Sequence, residues 1–320
     1  MNNVMARWGA LLFSVILLVI IYAHVELGRL LQRLVEAHPV WLGVAIACFL
    51  PQILLTSTRW WLMVDGIASM TWTESLRMTM AGKALNALLP SKLGEMSKAY
   101  FLKQRAGVDM ARCVPTVVFE KLLDLAGLCS WMLLGIILSP SISEPMVVGA
   151  LISTGVIVVT ALTLVLPLEG FGRRIEANSG RLGLKLGKLL RGWDLVLGSW
   201  RRKPSKLAWI LGLSVALWGA HLLQIYFFFP VLKQSMTPNL VLSFVPLSLL
   251  IGLVPISMAG MGTRDTALIL LFAPYADATT MAGVGVLCTM RYWGDTLLGV
   301  PFLHGYTSKI GSDKAAGSRT

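Results

Sequence analysis

The 320 residues are 56% hydrophobic and only 14% charged, against about 25% charged in an ordinary globular domain. The formal net charge of +12 is confined to segments between long apolar runs. That distribution excludes a soluble enzyme or a secreted domain, and it marks membrane topology rather than nucleic-acid binding.

A charge-free run over 8–25 predicts span 1 at about 8–26. It exceeds the about 7–15 apolar residues of a signal-peptide core, and no small-x-small cleavage site follows, so it reads as a retained anchor. A second run, 37–58, predicts span 2 at about 40–63. Thr73 to Pro115 is less apolar and contains Asn86-Ala87-Leu88-Leu89-Pro90-Ser91-Lys92-Leu93-Gly94-Glu95. Span 3, about 116–138, begins with Glu120, Lys121 and Asp124, and span 4 covers about 146–167.

Residues 168–206 carry ten Lys/Arg and three acids. Leu182, Leu186, Leu189, Trp193, Leu197 and Trp200 recur there at helical intervals, beside Arg181, Lys185 and Lys188. Two readings stay open: a helix in the cytoplasmic interface on anionic lipid, or a solvated linker helix packed on the bundle. Spans 5 and 6 are expected at about 207–230 and 239–256. After them come Val254-Pro255-Ile256-Ser257-Met258-Ala259-Gly260-Met261-Gly262-Thr263-Arg264-Asp265, an apolar piece to Tyr275, and a last span near 279–303 that contains Arg291 and Asp295. Each run approaches the ~20 residues that a helix needs to cross the hydrocarbon.

The expected fold class is therefore all-α integral membrane, a helical bundle of seven or eight transmembrane helices. The polytopic domain covers 1–303, and 304–320 is a polar, disordered tail. Residues 59–116 hold eight Lys/Arg, whereas the loops 24–39, 139–145 and 231–238 together hold three. Lys/Arg excess places the N-terminus, 59–116 and 168–206 on the cytoplasmic side of the inner membrane. Seven crossings would put Lys309, Lys314 and Arg319 outside, and an eighth through 257–276 would bring them in. The cysteines Cys48, Cys113, Cys129 and Cys288 lack metal or disulfide spacing.

Two stretches share an order. Pro90, Ser91, Gly94 and Glu95 are followed 25 residues later by Glu120 and then Asp124; Pro255, Ser257, Gly260 and Asp265 are followed 26 residues later by Arg291 and then Asp295. We read this as a degenerate internal duplication. Its candidate halves are 8–138 and 207–303, joined by span 4 and the basic segment 168–206. Transporters place substrate sites where such halves meet, at helices broken by Gly or Pro, and irregular backbone at membrane depth must be buried or line a wet cavity. Pro90, Gly94, Pro255, Gly260 and Gly262 are the expected helix breaks, in two facing re-entrant elements.

A charge at the bilayer centre costs about 2.5–3.5 kcal/mol on insertion scales, so such charges pair and usually serve a function. Glu120 and Asp124 repel at i, i+4, so a basic partner is expected from Arg264, Arg291 or Lys92. Arg291 and Asp295 can pair with each other. Helix-packing ion pairs are the plainer reading of these charges, and a polar headgroup or ion pathway is the functional one. His221 and Gln224, one turn apart, are expected to make interhelical hydrogen bonds rather than relay protons.

No nucleotide-binding loop, GxSxG or HExxH motif is present. The motifs Asn86-x-x-Leu89-Pro90-x-x-x-Gly94-Glu95, Phe119-Glu120-Lys121-x-x-Asp124 and Pro255-Ile256-Ser257-x-x-Gly260-x-Gly262-x-Arg264-Asp265 resemble the flippase-like membrane family. That family is the transmembrane region of lysylphosphatidylglycerol synthases and their stand-alone UPF0104 relatives. The resemblance covers roughly 8–303; Asp265 stands where the family more often has Glu. It implies a translocase that moves a polar-headed phospholipid or polyprenyl lipid between leaflets. Enzymatic aminoacylation is not expected, because no synthase domain follows within these residues, and no cofactor or metal is implied.

In that reading Lys92, Lys121, Arg264 and Arg291 bind phosphate. Glu95, Glu120, Asp124, Asp265 and Asp295 balance charge or meet a cationic headgroup, and Asn86, Ser257 and the glycines shape the cavity. The expected partner is a membrane lipid with a charged headgroup. The alternative is a non-catalytic subunit or scaffold for a lipid- or sugar-modifying enzyme.

Overall fold

The computed structural model describes residues 26–86, 94–167, 169–178, 180–253 and 262–303. Span 1 and the C-terminal tail lie outside these residues. What is described is helical, with no strand, as an apolar chain must be when lipid leaves backbone groups no other partner. The protein is an all-α integral membrane protein.

Helix α1 covers Leu27–Val35. Helices α2 (Pro39–Ala47) and α3 (Phe49–Val64) run on as one apolar stretch of 26 residues. They part at Cys48, beside Ala47, whose carbonyl the Pro51 ring opposes four residues on while withholding its own donor. Helix α4 (Trp72–Leu85) starts on a capping box: the Thr71 hydroxyl accepts the Glu74 N–H at 3.3 Å, and the Glu74 carboxylate accepts the Thr71 N–H at 3.1 Å. Helix α5 covers Ser97–Ala106 and α6 covers Met110–Ile137. The remaining helices are α7 (Glu144–Val165), α8 (Glu169–Asn178), α9 (Arg181–Arg201), α10 (Pro204–Val231), α11 (Pro238–Ile251), α12 (Thr263–Phe272) and α13 (Ala278–Gly299).

Among the described residues three stretches are long and apolar enough to cross a membrane: Pro39–Val64, Glu144–Val165 and Pro204–Val231. Helices α6 and α13, of 28 and 22 residues, have the length as well but carry the charges singled out above. Helix α6 begins at Met110, six residues before the expected start of span 3.

The chain forms two compact units. One comprises 1–52, 128–156 and 217–294, the other 53–127, 157–216 and 295–320. In the first, Phe229, Phe244 and Phe272 pack ring on ring, with Phe272 at 5.9 Å from Phe229 and 5.5 Å from Phe244. Gln52 donates to Gln224 at 2.9 Å, and Gln224 donates to the Ala45 carbonyl at 2.7 Å. In the second, Trp60, Val64, Met78, Phe101 and Cys113 form one core cluster, and Met63, Phe119, Leu123, Trp200 and Ile210 another.

The segment 168–206 is two helices, not one. Trp200 and Leu197 are buried against Met63 and Phe119, whereas Leu184, Leu186 and Leu195 are exposed. The expected stripe therefore serves two environments: its C-terminal end is core and its N-terminal end is surface.

Candidate functional site

The first candidate break falls between α4 and α5. Helix α4 ends at Leu85, Asn86 forms a turn, and the chain re-enters at Gly94 in a 3-10 turn that leads into α5. Gly94 is buried, and a Cβ there would fall on the Asn86 nitrogen and the Leu85 carbonyl carbon. Only glycine lets the two sides of the break approach so closely. The Asn86 side chain clamps it: its oxygen accepts the Glu95 N–H at 3.2 Å and its amide donates to the Glu95 carboxylate at 3.4 Å.

Around this break six charges form one alternating chain within the second unit. Lys98 on α5 donates to Glu120 on α6, and Lys98 also lies 4.6 Å from the Trp60 ring centroid. Arg59 on α3 then bridges two acids, reaching Glu120 at 3.2 Å and Asp124 at 2.7 Å. Lys121 donates to Asp124 at 2.9 Å and to Glu95, closing back onto the break. The Arg59 fork also donates to the Ser214 hydroxyl on α10 at 3.2 Å. A planar guanidinium is suited to bridging two carboxylates, which an ammonium does less well.

The sequence pattern explains the arrangement. Glu120 and Asp124 share a face of α6 at i, i+4, and their repulsion is resolved by inserting Arg59 between them. Three cations and three acids make the chain neutral, which an apolar surrounding requires. Burial is graded along it. The Arg59, Lys98 and Glu120 side chains are 1% exposed, and Lys121 is 40% exposed. Glu95 and Asp124 are intermediate, so one end of the chain is sealed and the other is open.

Among the described residues Glu120 and Asp124 are answered by Arg59, Lys98 and Lys121, where Arg264, Arg291 or Lys92 was expected; Lys92 lies outside the described residues. In the sequence Arg59 and Lys98 are distinguished only as part of the basic excess of 59–116. The signal was there to read: Arg59 precedes Trp60-Trp61-Leu62-Met63-Val64, and Lys98 sits beside Ala99-Tyr100-Phe101-Leu102. The pairing of Arg291 with Asp295 is also corrected. Asp295 receives Lys83 at 2.6 Å, while Arg291 meets His221 Nδ1 at 3.1 Å. A surface i, i+4 pair contributes only about 0.2–0.5 kcal/mol, too little to compete with a partly buried cross-helix partner. The hydrogen bonds of His221 and Gln224 are interhelical, as expected.

The second break lies in the first unit. Helix α11 ends at Ile251, and α12 starts after Gly262, whose φ of +96° suits glycine. Arg264 and Asp265 are buried and bind each other at 2.6 and 2.8 Å. Arg264 also donates to the Gly285 carbonyl and the Thr289 hydroxyl, both at 2.9 Å, and Asp265 accepts the Gly262 N–H at 3.3 Å. Pro90, Lys92, Pro255, Ser257 and Gly260 lie outside the described residues.

A family model described as the lysylphosphatidylglycerol synthase TM region matches residues 7–299. The chain is 23% identical over 306 residues to a UPF0104 membrane protein of Methanothermobacter thermautotrophicus, covering 88% of this chain and 90% of that one. It is 28% identical over 192 residues to one of Methanocaldococcus jannaschii, covering 58% and 77%. A Pyrococcus horikoshii relative is 22% identical over 321 residues, covering 92% and 96%. No solved structure matches.

Proposed function

Since this chain belongs to the family of the lysylphosphatidylglycerol synthase transmembrane region, we propose that it moves a polar-headed lipid between the leaflets of the cytoplasmic membrane. The observation that carries the reading is the alternating six-charge chain at a helix break, sealed at Arg59 and open at Lys121. A headgroup that brings its own charges can exchange with Lys121 and its two acids without leaving a bare charge in the hydrocarbon, which would cost several kcal/mol. The phosphate takes Lys121. Glu95 and Asp124, released from it, meet any cationic part of the headgroup. The acyl chains stay in lipid, and Arg59, Lys98 and Glu120 hold the floor of the site.

The test is a dithionite assay in proteoliposomes that carry fluorescent phosphatidylglycerol, phosphatidylethanolamine or a polyprenyl phosphate. Wild type is expected to make inner-leaflet probe accessible for at least one of these, and Lys121→Gln to lose that activity while keeping its melting temperature. If wild-type vesicles behave as protein-free ones for all three probes, the translocase reading falls and the scaffold alternative takes its place. The proposed orientation is tested separately in whole cells. A cysteine at Ser205 should resist an impermeant thiol reagent and one at Ser143 should react; the reverse would invert the topology.

A further inference from the structure

We propose that the α8–α9 hairpin is a foot at headgroup level that binds the anionic lipid of the leaflet it rests on, a role independent of the translocation reading. Connectivity fixes its depth. Helix α7 ends at Val165 and α8 begins at Glu169; α9 ends at Arg201 and α10 begins at Pro204. Both α7 and α10 are long and apolar enough to cross the membrane. Linkers of three and two residues reach about 10 Å at most, so the hairpin cannot leave the ends of these spans. Arg201 tightens the tether by donating to the carbonyls of Thr163 at 3.1 Å, Leu164 at 2.5 Å and Leu166 at 2.9 Å, where α7 ends without partners of its own.

One side of the hairpin is committed to the protein through Trp200 and Leu197. The other presents Phe171, Leu184 and Leu195 to the outside, at 59%, 46% and 57% exposure. Leu184, Lys188 and Leu195 lie at helical intervals of four and seven, hence on one face of α9. The basic residues divide in the same way. Arg173, Arg191, Arg201 and Lys206 have acid partners. Arg174, Lys185, Lys188, Arg202 and Lys203 are exposed and make no ion pair among the described residues. A solvated face would carry the charges without the phenylalanine and leucines. Apolar side chains interleaved with unpaired cations, at the level where spans end, match the acyl boundary and phosphates of an anionic leaflet.

The experiment uses the full chain with Leu184→Cys carrying a bimane label; the four native cysteines are buried. The protein is placed in nanodiscs of brominated phosphatidylcholine, with or without brominated phosphatidylglycerol. Quenching in the anionic discs should be at least about twice that in neutral ones. K185E with K188E should return it to the neutral value without lowering the melting temperature, because both side chains are exposed and unpaired. Equal quenching in the two discs, no quenching in either, or an anionic preference that survives the charge reversal would each overturn the proposal.

Discussion

The α4–α5 and α11–α12 breaks carry similar residues in similar order, yet their charges end in different places. After the first break, Glu95 and Lys98 reach Lys121 and Glu120 on α6, and Arg59 on α3 completes the connection. After the second, Arg264 and Asp265 bind each other, and Arg264 also reaches the Gly285 carbonyl and the Thr289 hydroxyl on α13. The first arrangement joins three helices and leaves the Lys121 side chain 40% exposed. The second is a buried pair in the first turn of α12 that also ties this turn to α13. Similar residues therefore accompany both breaks, whereas the neighbouring helices decide whether their charges join a chain with one exposed end or a buried pair.

The sharpest way to break this contrast is at its most buried point. Glu120→Gln removes the carboxylate between Arg59 and Lys98, leaving buried cations short of a counter-charge, at a cost of about 3–5 kcal/mol. Purified yield and melting temperature should both collapse. A loss below about 1 kcal/mol, the value of an exposed pair, would mean that the chain of charges is solvated and the contrast false.

Arg264→Gln tests the buried pair. Asp265 would keep the Gly262 N–H but lose its cation, at a cost of about 3 kcal/mol for a pair this buried. Arg264→Lys should recover only part of that, because an ammonium cannot reach the carboxylate, the Gly285 carbonyl and the Thr289 hydroxyl with one fork. Thermal unfolding in detergent measures both. Transport lost at an unchanged melting temperature would instead move Arg264 into an open site and erase the difference between the two breaks.

The two glycines should separate by mechanism. Gly94→Ala drives a Cβ into backbone on the far side of the break, an overpacking cost of about 1–3 kcal/mol that rigid neighbours hold near its upper end. Gly262→Ala must hold an L side chain at a φ of +96°, costing about 1–2 kcal/mol. Melting temperatures should rank Gly94→Ala below Gly262→Ala.

The smallest expected effect concerns the start of α4. The Thr71 N–H, together with Arg105, holds the Glu74 carboxyl below its ordinary value. A group whose folded value is depressed lends stability that is present above its unfolded value and lost as pH falls through the folded one. Wild type should therefore be the more stable of the two at neutral pH, and its margin over Glu74→Gln should shrink on acidification below the ordinary carboxylate range. Parallel melting curves across that range would show that the cap contributes nothing to the α4–α5 hairpin.

The order of amino acids alone is enough to assign the solvent and the secondary structure. Apolar runs of about twenty residues admit only helices in lipid, and Asn86 to Gly94 and the glycines before Thr263 announce where those helices stop. It also located the acids Glu95, Glu120 and Asp124, because a carboxylate in an apolar run is conspicuous. Only the tertiary structure decided their partners. In the sequence Arg59 and Lys98 count only toward the basic excess of 59–116, and Arg291 and Asp295 stand as possible partners of each other. Pairing depends on which helix faces meet, a matter of azimuth and packing that spacing along one chain does not encode. Where helix faces meet in a low-dielectric interior, a charge on a neighbouring helix can displace one a turn away on the same helix, as Lys83 does at Asp295.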